Sequence, residues 1–282
     1  EILAADLGIE PTAAARTVLS DIEPVSAIQQ ELGLQFEVAT FIGSSPIRQY
    51  AEDWDVEHIL TATHDAVTFA VNEGLDVMYV TEDTTRSRPE TLTKLFTAAI
   101  EAGASRICLA DTVGHATPYG VRQLVRFTKD LVEQSGEQVK IDWHGHRDRG
   151  FGLANVLAAI EEGVDRVHGT ALGIGERVGN VEMDLLLVNL QLLGVHHPPL
   201  DRLAEYCSLT AKMCGTEVPH NYPVVGEDAF RTGTGVHAAA IIKAMEKGDR
   251  WLEDSVYSGV PASMVGRSQS IEVSPVSGLS NV

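Results

Sequence analysis

Short β-branched runs alternate with longer amphipathic segments along most of the chain. Five such runs begin at residues 36, 76, 106, 139 and 166, and this spacing suits a strand, a helix and their connections. The amphipathic segments between them are residues 56–73, 89–102, 118–134 and 153–162. Each ends in a glycine-containing turn, the usual stop signal of a helix. The alternation predicts an α/β fold with a parallel sheet.

Polar residues at the ends of the predicted strands distinguish two α/β architectures. They are Glu82, Asp83 and Thr84, then Asp111 and Thr112, then His144, His146 and Asp148, and finally Thr170 with Glu176. A doubly wound sheet concentrates polar chemistry at one switch point, whereas a barrel carries it around its C-terminal rim. We therefore predict a (β/α)₈ TIM barrel. Five units are visible, and residues 11–32 read as helix-like. We therefore expect about three further units upstream of Glu1.

The regular alternation of predicted strands and helices ends after the fifth unit. An apolar helix is predicted over residues 183–193, and the sequence His196-His-Pro-Pro that follows is typical of a boundary. We predict a partial TIM-barrel catalytic domain over residues 1–196. Residues 197–282 are predicted to form an appended, mostly helical C-terminal subdomain and tail.

Composition narrows the possible partners. The 282 residues include 40 acidic and 21 basic side chains, a formal net charge of −19, which argues against nucleic acid or an anionic membrane as partner. The three cysteines are too few and too irregularly spaced for a disulfide framework. No apolar run approaches 18 residues, so no membrane span is predicted. We expect a cytoplasmic protein with reduced thiols.

The segment Asp142-Trp-His-Gly-His-Arg-Asp148 is the strongest chemical signal. Residues i and i+2 of a strand point to the same face, so His144 and His146 can reach one metal ion. Two histidines on a strand can equally be structural, but nearby Asp148, Asn155 and Asn180 offer the N and O donors that divalent ions use. The later glycine loop does not match a dinucleotide fingerprint, because Val178 stands where its third glycine is needed.

Several motifs together resemble the DRE-TIM metallolyase superfamily. They are His144-x-His146-x-Asp148-x-Gly150, Gly175-Glu-Arg-Val-Gly-Asn180, Glu82-Asp-Thr-Thr-Arg86, Ala110-Asp-Thr-Val-Gly114 and Pro223-Val-Val-Gly-Glu-Asp-Ala-Phe230 leading to Gly235-Val-His237. The chain is most similar to the branch of 2-isopropylmalate and homocitrate synthases. The lyase branch carries a cysteine in a glycine loop near the end of the barrel, and here no cysteine follows Thr170 until Cys207.

The resemblance implies an acyltransferase that condenses acetyl-CoA with a 2-oxo acid on a divalent cation (Mn, Mg or Zn). It implies a homodimer in which the subdomain of one copy reaches the barrel of the other. The implied metal positions are His144, His146 and Asn180. The implied catalytic positions are Glu82, His237 and Tyr257, and Thr112, Glu176 and Met78 are implied to face the substrate.

Three departures from the family pattern carry further expectations. The family's first strand, with its Arg and its metal-binding Asp, is not in the chain, so we expect these 282 residues to be inactive alone. Arg147 stands where the family usually has Asn. Met78 stands where homocitrate synthases have an Arg for the distal carboxylate of 2-oxoglutarate. Burying a carboxylate there without a counter-charge would be costly.

The acceptor is therefore expected to have an uncharged side chain. We favour 2-oxoisovalerate, which gives 2-isopropylmalate, the precursor in leucine biosynthesis. Homocitrate synthase, citramalate synthase, a metal-dependent lyase or aldolase on the same barrel, and a chain that keeps the fold only for assembly remain the alternatives.

Overall fold

The computed structural model describes residues 8–233 and 235–272. The strands are β1 (Thr12–Arg16), β2 (Glu37–Gly43), β3 (Asp76–Glu82), β4 (Arg106–Asp111), β5 (Lys140–Gly145), β6 (Arg166–Val167), β7 (Arg231–Thr232) and β8 (Ser270–Ile271). The helices are α1 (Leu19–Leu32), α2 (Pro46–Glu52), α3 (Val56–Asn72), α4 (Pro89–Glu101), α5 (Pro118–Ser135), α6 (Gly152–Glu161), α7 (Met183–Leu192), α8 (Leu203–Cys214), α9 (Gly235–Lys247) and α10 (Arg250–Ser255).

The described residues divide into two compact units. The first runs up to residue 168 and also includes residues 176–181, and the second comprises residues 169–175 and those from 182 onward. The domain boundary predicted at residue 196 stays a prediction. Within the described part of the chain, no helix is both long enough and apolar enough to cross a membrane.

Strands β1 to β6 form one sheet in chain order, and each neighbouring pair is parallel. The predicted α/β fold with a parallel sheet is therefore confirmed. Glycines 74, 103, 136 and 163, at the turns predicted to end helices, all have positive φ. Among the described residues β1 and β6 are the free edges of an open sheet, so the complete eight-stranded barrel remains a proposal.

The helix-like interpretation of residues 11–32 is wrong in its first part. Residues Thr12–Arg16 form β1 and pair in parallel with β2, and the helix begins only at Leu19. Three consecutive alanines favour a helix locally, but pairing with a buried neighbouring strand overrides that weak preference. Within residues 8–233 and 235–272 the sheet therefore has six strands, where the pattern predicted five.

The two faces of the sheet differ in what they contact. Tyr79 is fully buried against α3, where its hydroxyl lies 2.8 Å from that of Thr63. Side chains alternate along a strand, so Met78 lies on the opposite face, where it packs with Ala39 and Cys108. We call this second face the inner face. On β5 the inner face carries Asp142, which lies in register with Cys108. It also carries His144, which is two residues further along the strand.

The second unit has its own apolar core. Helices α7 and α8 contribute to a cluster of buried side chains, which comprises Val188, Leu200, Leu203, Val224, Phe230, Ala262 and Val265. A smaller cluster joins Leu172, Cys207 and Ala211. In the part of this unit that the structure describes, there are four α-helices and two short strands. The prediction of an appended helical subdomain remains a prediction.

Candidate metal centre

Two imidazoles lie side by side at the C-terminal end of β5. The ring centroids of His144 and His146 are 5.3 Å apart, with the ring planes nearly perpendicular. Strand pairing with β4 fixes their backbone, since His144 lies in register with Ala110 and the His146 N–H donates to the Asp111 carbonyl at 3.1 Å. The i, i+2 spacing thus brings the two rings close together on the same side of the strand end.

The surroundings of both histidines favour the neutral form of the imidazole. Burial lowers the pKa of His144 to about 4, with the nearby His168 and His146 adding to the effect. Burial also lowers the pKa of His146, and the charge of Arg177 acts in the same direction. The neutral imidazole is the form that binds a metal ion.

Asn180 is brought to the same place by the loop after β6. It forms an antiparallel bridge with His146, and the next residue, Val181, donates its N–H to the Gly145 carbonyl at 3.3 Å. The three predicted metal positions therefore lie within one corner of the first unit.

The donor set fits a divalent ion. His146 Nδ1 is buried and has no hydrogen-bond partner among the described residues, which is the state expected of a nitrogen reserved for a ligand. Across residues 8–233 and 235–272, no three His, Cys, Asp or Glu side chains form a metal-binding group. The described residues therefore supply two nitrogens and an amide rather than a full coordination shell.

Two further N/O donors named from the sequence have other partners. Asp148 pairs with Arg177 at 2.7 Å, and this contact lowers the pKa of its carboxyl. Asn155 is buried on α6 and donates to the Ala116 carbonyl at 3.1 Å. Both side chains thus organise loops rather than contributing obvious ligands.

Arg177 ties three loops together around the histidines, and its role was not predicted from the sequence. Its guanidinium binds the Asp148 carboxylate at 2.7 and 3.1 Å and the Thr112 carbonyl at 2.7 Å. Its backbone adopts φ 55°, an uncommon value for a residue with a side chain. Arg147, the departure from the family's Asn, donates to the Val178 carbonyl at 2.6 Å and holds the same loop.

Replacing Arg177 with lysine should weaken divalent metal binding by about 10- to 100-fold. The single ammonium group of lysine cannot bind both oxygens of Asp148 and the Thr112 carbonyl at the same time. Replacing residues that hold metal ligands in place typically lowers metal affinity by this factor. Titration calorimetry with Mn²⁺ measures the change. Arg149→Lys is the matched control, because Arg149 makes a similar exposed contact to the His115 carbonyl. Equal affinities in both variants would contradict the role given to Arg177.

Thr112 is held with its hydroxyl proton available. The Asp83 N–H donates to Thr112 Oγ1 at 2.8 Å, which leaves the hydroxyl hydrogen to donate elsewhere. Asp83 is buried with φ 63° and is gripped by Arg86 at 2.7 Å. The turn at Asp83, directly after β3, therefore positions Thr112, the residue that follows β4.

The other predicted site residues are distributed as follows. Glu82 ends β3 and forms an ion pair with Arg48 at 3.3 Å. Glu176 has a largely exposed side chain that lies 3.7 Å from Arg177. His237 and Tyr257 belong to the second unit, where their ring centroids are 4.1 Å apart. Each assignment to catalysis or substrate binding remains a proposal.

Met78 lies deeper on the inner face and has a cation beside it. Arg166 Nη2 is 3.2 Å from the Met78 sulfur, so the premise that no positive charge is nearby is wrong. That charge is already paired, because Arg166 binds Glu37 and Asp142, each at 2.6 Å. Asp142 also binds Arg106 at 2.5 Å. Two cations and two anions thus balance beneath the apolar cluster.

These elements define an α/β protein with a two-histidine rim site on a parallel sheet. A model of the HMGL-like family matches residues 1–208, and the chain belongs to this family. The resemblance to the DRE-TIM superfamily is thereby confirmed.

Curated relatives include three kinds of synthase. A Methanopyrus kandleri protein assigned provisionally as an (R)-citramalate synthase is 39% identical, over 75% of this chain and 40% of its own length. A 2-isopropylmalate synthase of Halalkalibacterium halodurans is 33% identical, over 84% and 47%. A homocitrate synthase of Sulfurisphaera tokodaii is 31% identical, over 94% and 54%. The chain thus spans about half the length of the relatives it matches.

The fold has solved counterparts. An HMG-CoA lyase of Bacillus subtilis superposes with a TM-score of 0.62 at 20% identity, covering 76% of this chain and 73% of the lyase. The lyase of Pseudomonas aeruginosa gives the same TM-score and identity, with 75% and 72% covered. At this identity the likeness concerns the fold alone.

Proposed function

We propose that this chain is the catalytic part of an acyltransferase that condenses acetyl-CoA with a 2-oxo acid on a divalent metal. The observation that carries the proposal is the pair of adjacent imidazoles at the C-terminal end of β5, with Asn180 bridged to His146 beside them. The synthase names of the curated relatives support the same reaction class. We propose a complete (β/α)₈ barrel, with residues 1–196 as its part and 197–282 as the appended subdomain.

The chain's own residues take distinct roles in this scheme. His144, His146 and Asn180 hold the ion, which when bound would polarise the 2-oxo carbonyl as a Lewis acid. Thr112 donates its hydroxyl proton to the substrate carboxylate, and Glu176 lines the rim beside it. Glu82, at the end of β3, removes a proton from the methyl group of acetyl-CoA.

The second unit supplies the remaining acid/base groups. We propose that His237 and Tyr257, whose rings stack in one unit, act on the barrel of a second copy in a homodimer. Their contact fixes the two side chains relative to each other. We also propose a cytoplasmic location, in keeping with three free cysteines.

The inner face favours an acceptor with an uncharged side chain. Below the histidines, Ala39, Met78 and Cys108 form an apolar cluster with Val80. The arginines beneath that cluster are matched by Glu37 and Asp142, so neither offers a free charge to a distal carboxylate. A second carboxylate buried here would remain uncompensated. We therefore propose 2-oxoisovalerate as acceptor.

The acceptor preference is testable in the complete native polypeptide. With Mn²⁺ and acetyl-CoA, thiol release should be at least about tenfold faster in kcat/KM with 2-oxoisovalerate than with 2-oxoglutarate. Chelation with EDTA should stop the reaction, and readdition of Mn²⁺ should restore it. A preference for 2-oxoglutarate would contradict the inner-face argument. A preference for pyruvate would retain the uncharged class but replace the acceptor.

A further inference from the structure

A cavity opens at the C-terminal ends of β1, β2 and β3, on the side of the strand ends that carries Glu82. It has a volume of about 310 Å³, and its wall includes Glu82, the proposed base. Much of the lining is apolar, with Phe41, Ile42 and Trp54 contributing, and Arg48 stands beside the carboxylate. The cavity therefore combines an apolar lining with a polar side, where Arg48 lies between Glu52 and Glu82 and where Arg16 and His58 also contribute.

Arg48 is held in place from several sides. Its Nη1 binds Glu52 at 2.6 Å, and its Nε lies 3.3 Å from Glu82 Oε1. Its guanidinium carbon lies 5.9 Å from the ring centre of Trp54. The Nε–H is buried and makes no hydrogen bond within the described residues. Its contact is thus the 3.3 Å ion pair with Glu82, which a ligand oxygen beside that carboxylate can replace.

The local sequence is built to admit this side chain. Gly43 ends β2, and a Cβ atom added there would lie 2.1 Å from Arg48 Cγ. Only glycine therefore leaves room for Arg48 to cross the strand end. Ser45 caps α2 by accepting the Arg48 N–H at 3.2 Å, which fixes the backbone of the same residue.

We propose that this cavity is the subsite for the acyl thioester end of acetyl-CoA, and that Arg48 stabilises the enolate formed there. This inference rests on the proposed function. Glu82 takes a proton as the methyl C–H bond breaks, and the electron pair moves onto the thioester oxygen. Glu82 becomes neutral in that step and loses its ion pair with Arg48. The guanidinium of Arg48 then interacts with the new oxyanion instead.

The size and lining of the cavity match this part of the molecule. A volume of about 310 Å³ lies at the lower end of small-molecule sites. It suits the uncharged acetyl group and the start of the thiol arm rather than the whole of coenzyme A. A positive group beside a developing oxyanion in an apolar site is the usual means of stabilising an enolate.

The test uses the complete native polypeptide with Arg48→Gln and Arg48→Lys variants. Exchange of the acetyl-CoA methyl protons into D₂O is followed by mass spectrometry, with Mn²⁺ and 2-hydroxyisovalerate as an acceptor analogue that cannot condense. Arg48→Gln should lower exchange and kcat by about 100- to 1,000-fold, as loss of an oxyanion donor does. The KM for 2-oxoisovalerate should stay within about twofold. Arg48→Lys should retain part of the rate.

Two further variants make the result specific. Gly43→Ala should reproduce the loss without removing a charge, because the added methyl group displaces Arg48. Arg126→Gln is the matched control, since Arg126 pairs with Glu162 on the helical surface, and its rate should stay within about twofold. Thermal unfolding and circular dichroism monitor folding in each variant.

The outcomes separate the two proposals. If Glu82→Gln loses exchange while folded Arg48→Gln keeps it within about threefold, the role of Arg48 is overturned and the proposed function stands. A higher KM for acetyl-CoA with unchanged kcat would likewise reject the enolate role. If Glu82→Gln keeps full exchange, or the wild-type protein neither exchanges nor condenses, the proposed function itself fails.

Discussion

Replacing His144 with alanine should remove the divalent metal and stop condensation. The loss of metal affinity should exceed the 10- to 100-fold effect typical of outer partners, because His144 is a proposed direct ligand. The ring is half-buried beside His146, and burial lowers its pKa to about 4, which favours the neutral form that binds a metal ion. Metal content after dialysis, measured by mass spectrometry, and the rate of thiol release report the two effects separately.

His64→Ala is the matched control for that substitution. His64 lies exposed on α3 beside Asp65, at 3.3 Å, so its removal should leave both metal content and rate unchanged. Stoichiometric Mn²⁺ in folded His144→Ala would contradict the assignment of the metal site. Retained metal with lost activity would instead place His144 in substrate binding.

Replacing Asp142 with alanine should destabilise the protein by about 3–5 kcal/mol. Asp142 is fully buried on the inner face, where Arg106 and Arg166 bind its two oxygens. Removing one partner of a buried pair leaves uncompensated charge, and such changes have effects of this size. Urea unfolding followed by fluorescence of the fully buried Trp143 measures the difference.

The same residue predicts acid sensitivity. Burial opposes ionisation, but bonds from His168, Arg166 and Arg106 outweigh it and lower the pKa of the Asp142 carboxyl. A lowered pKa stabilises the fold above the unfolded value, and this stabilisation is lost as pH falls through the folded one. The wild type should therefore lose stability below about pH 4 more steeply than Asp142→Asn.

Asp130→Ala is the control for the stability measurement. Asp130 is exposed on α5, so the same chemical change should alter stability by no more than about 0.5 kcal/mol. A similarly small effect for Asp142→Ala would show that the buried network contributes little. In that case the ion pairs of Asp142 and Glu37 with Arg106 and Arg166 would not be a main source of stability.

His168 shows how strand register extends the site beyond the motifs. It follows β6, where its N–H donates to the Trp143 carbonyl at 3.0 Å, and its ring centroid lies 5.5 Å from that of His144. Its Nε2 lies 3.1 Å from Asp142, so the ring connects the charged network to the metal corner. His168 was not singled out from the sequence, because only the pairing between β5 and β6 reveals its neighbours.

The sequence by itself determined the alternation of strands β2 to β6 with helices α3 to α6, and the position of the two histidines at the end of β5. These depend on local periodicity and on the two-residue repeat of a strand, which any strand geometry preserves. It did not reveal β1, since alanines favour helix until a neighbouring strand pairs with them.

Only the tertiary structure decided which side chains meet. Arg48 reaches Glu82 from another element, Arg177 connects loops far apart in sequence, and Arg166 brings a paired cation to Met78. Ion pairs and cavities depend on side-chain positions brought together by folding, which spacing along one strand does not specify. The spacing of the two histidines could therefore be recognised from the sequence. The residues that surround them could be identified only from the tertiary structure.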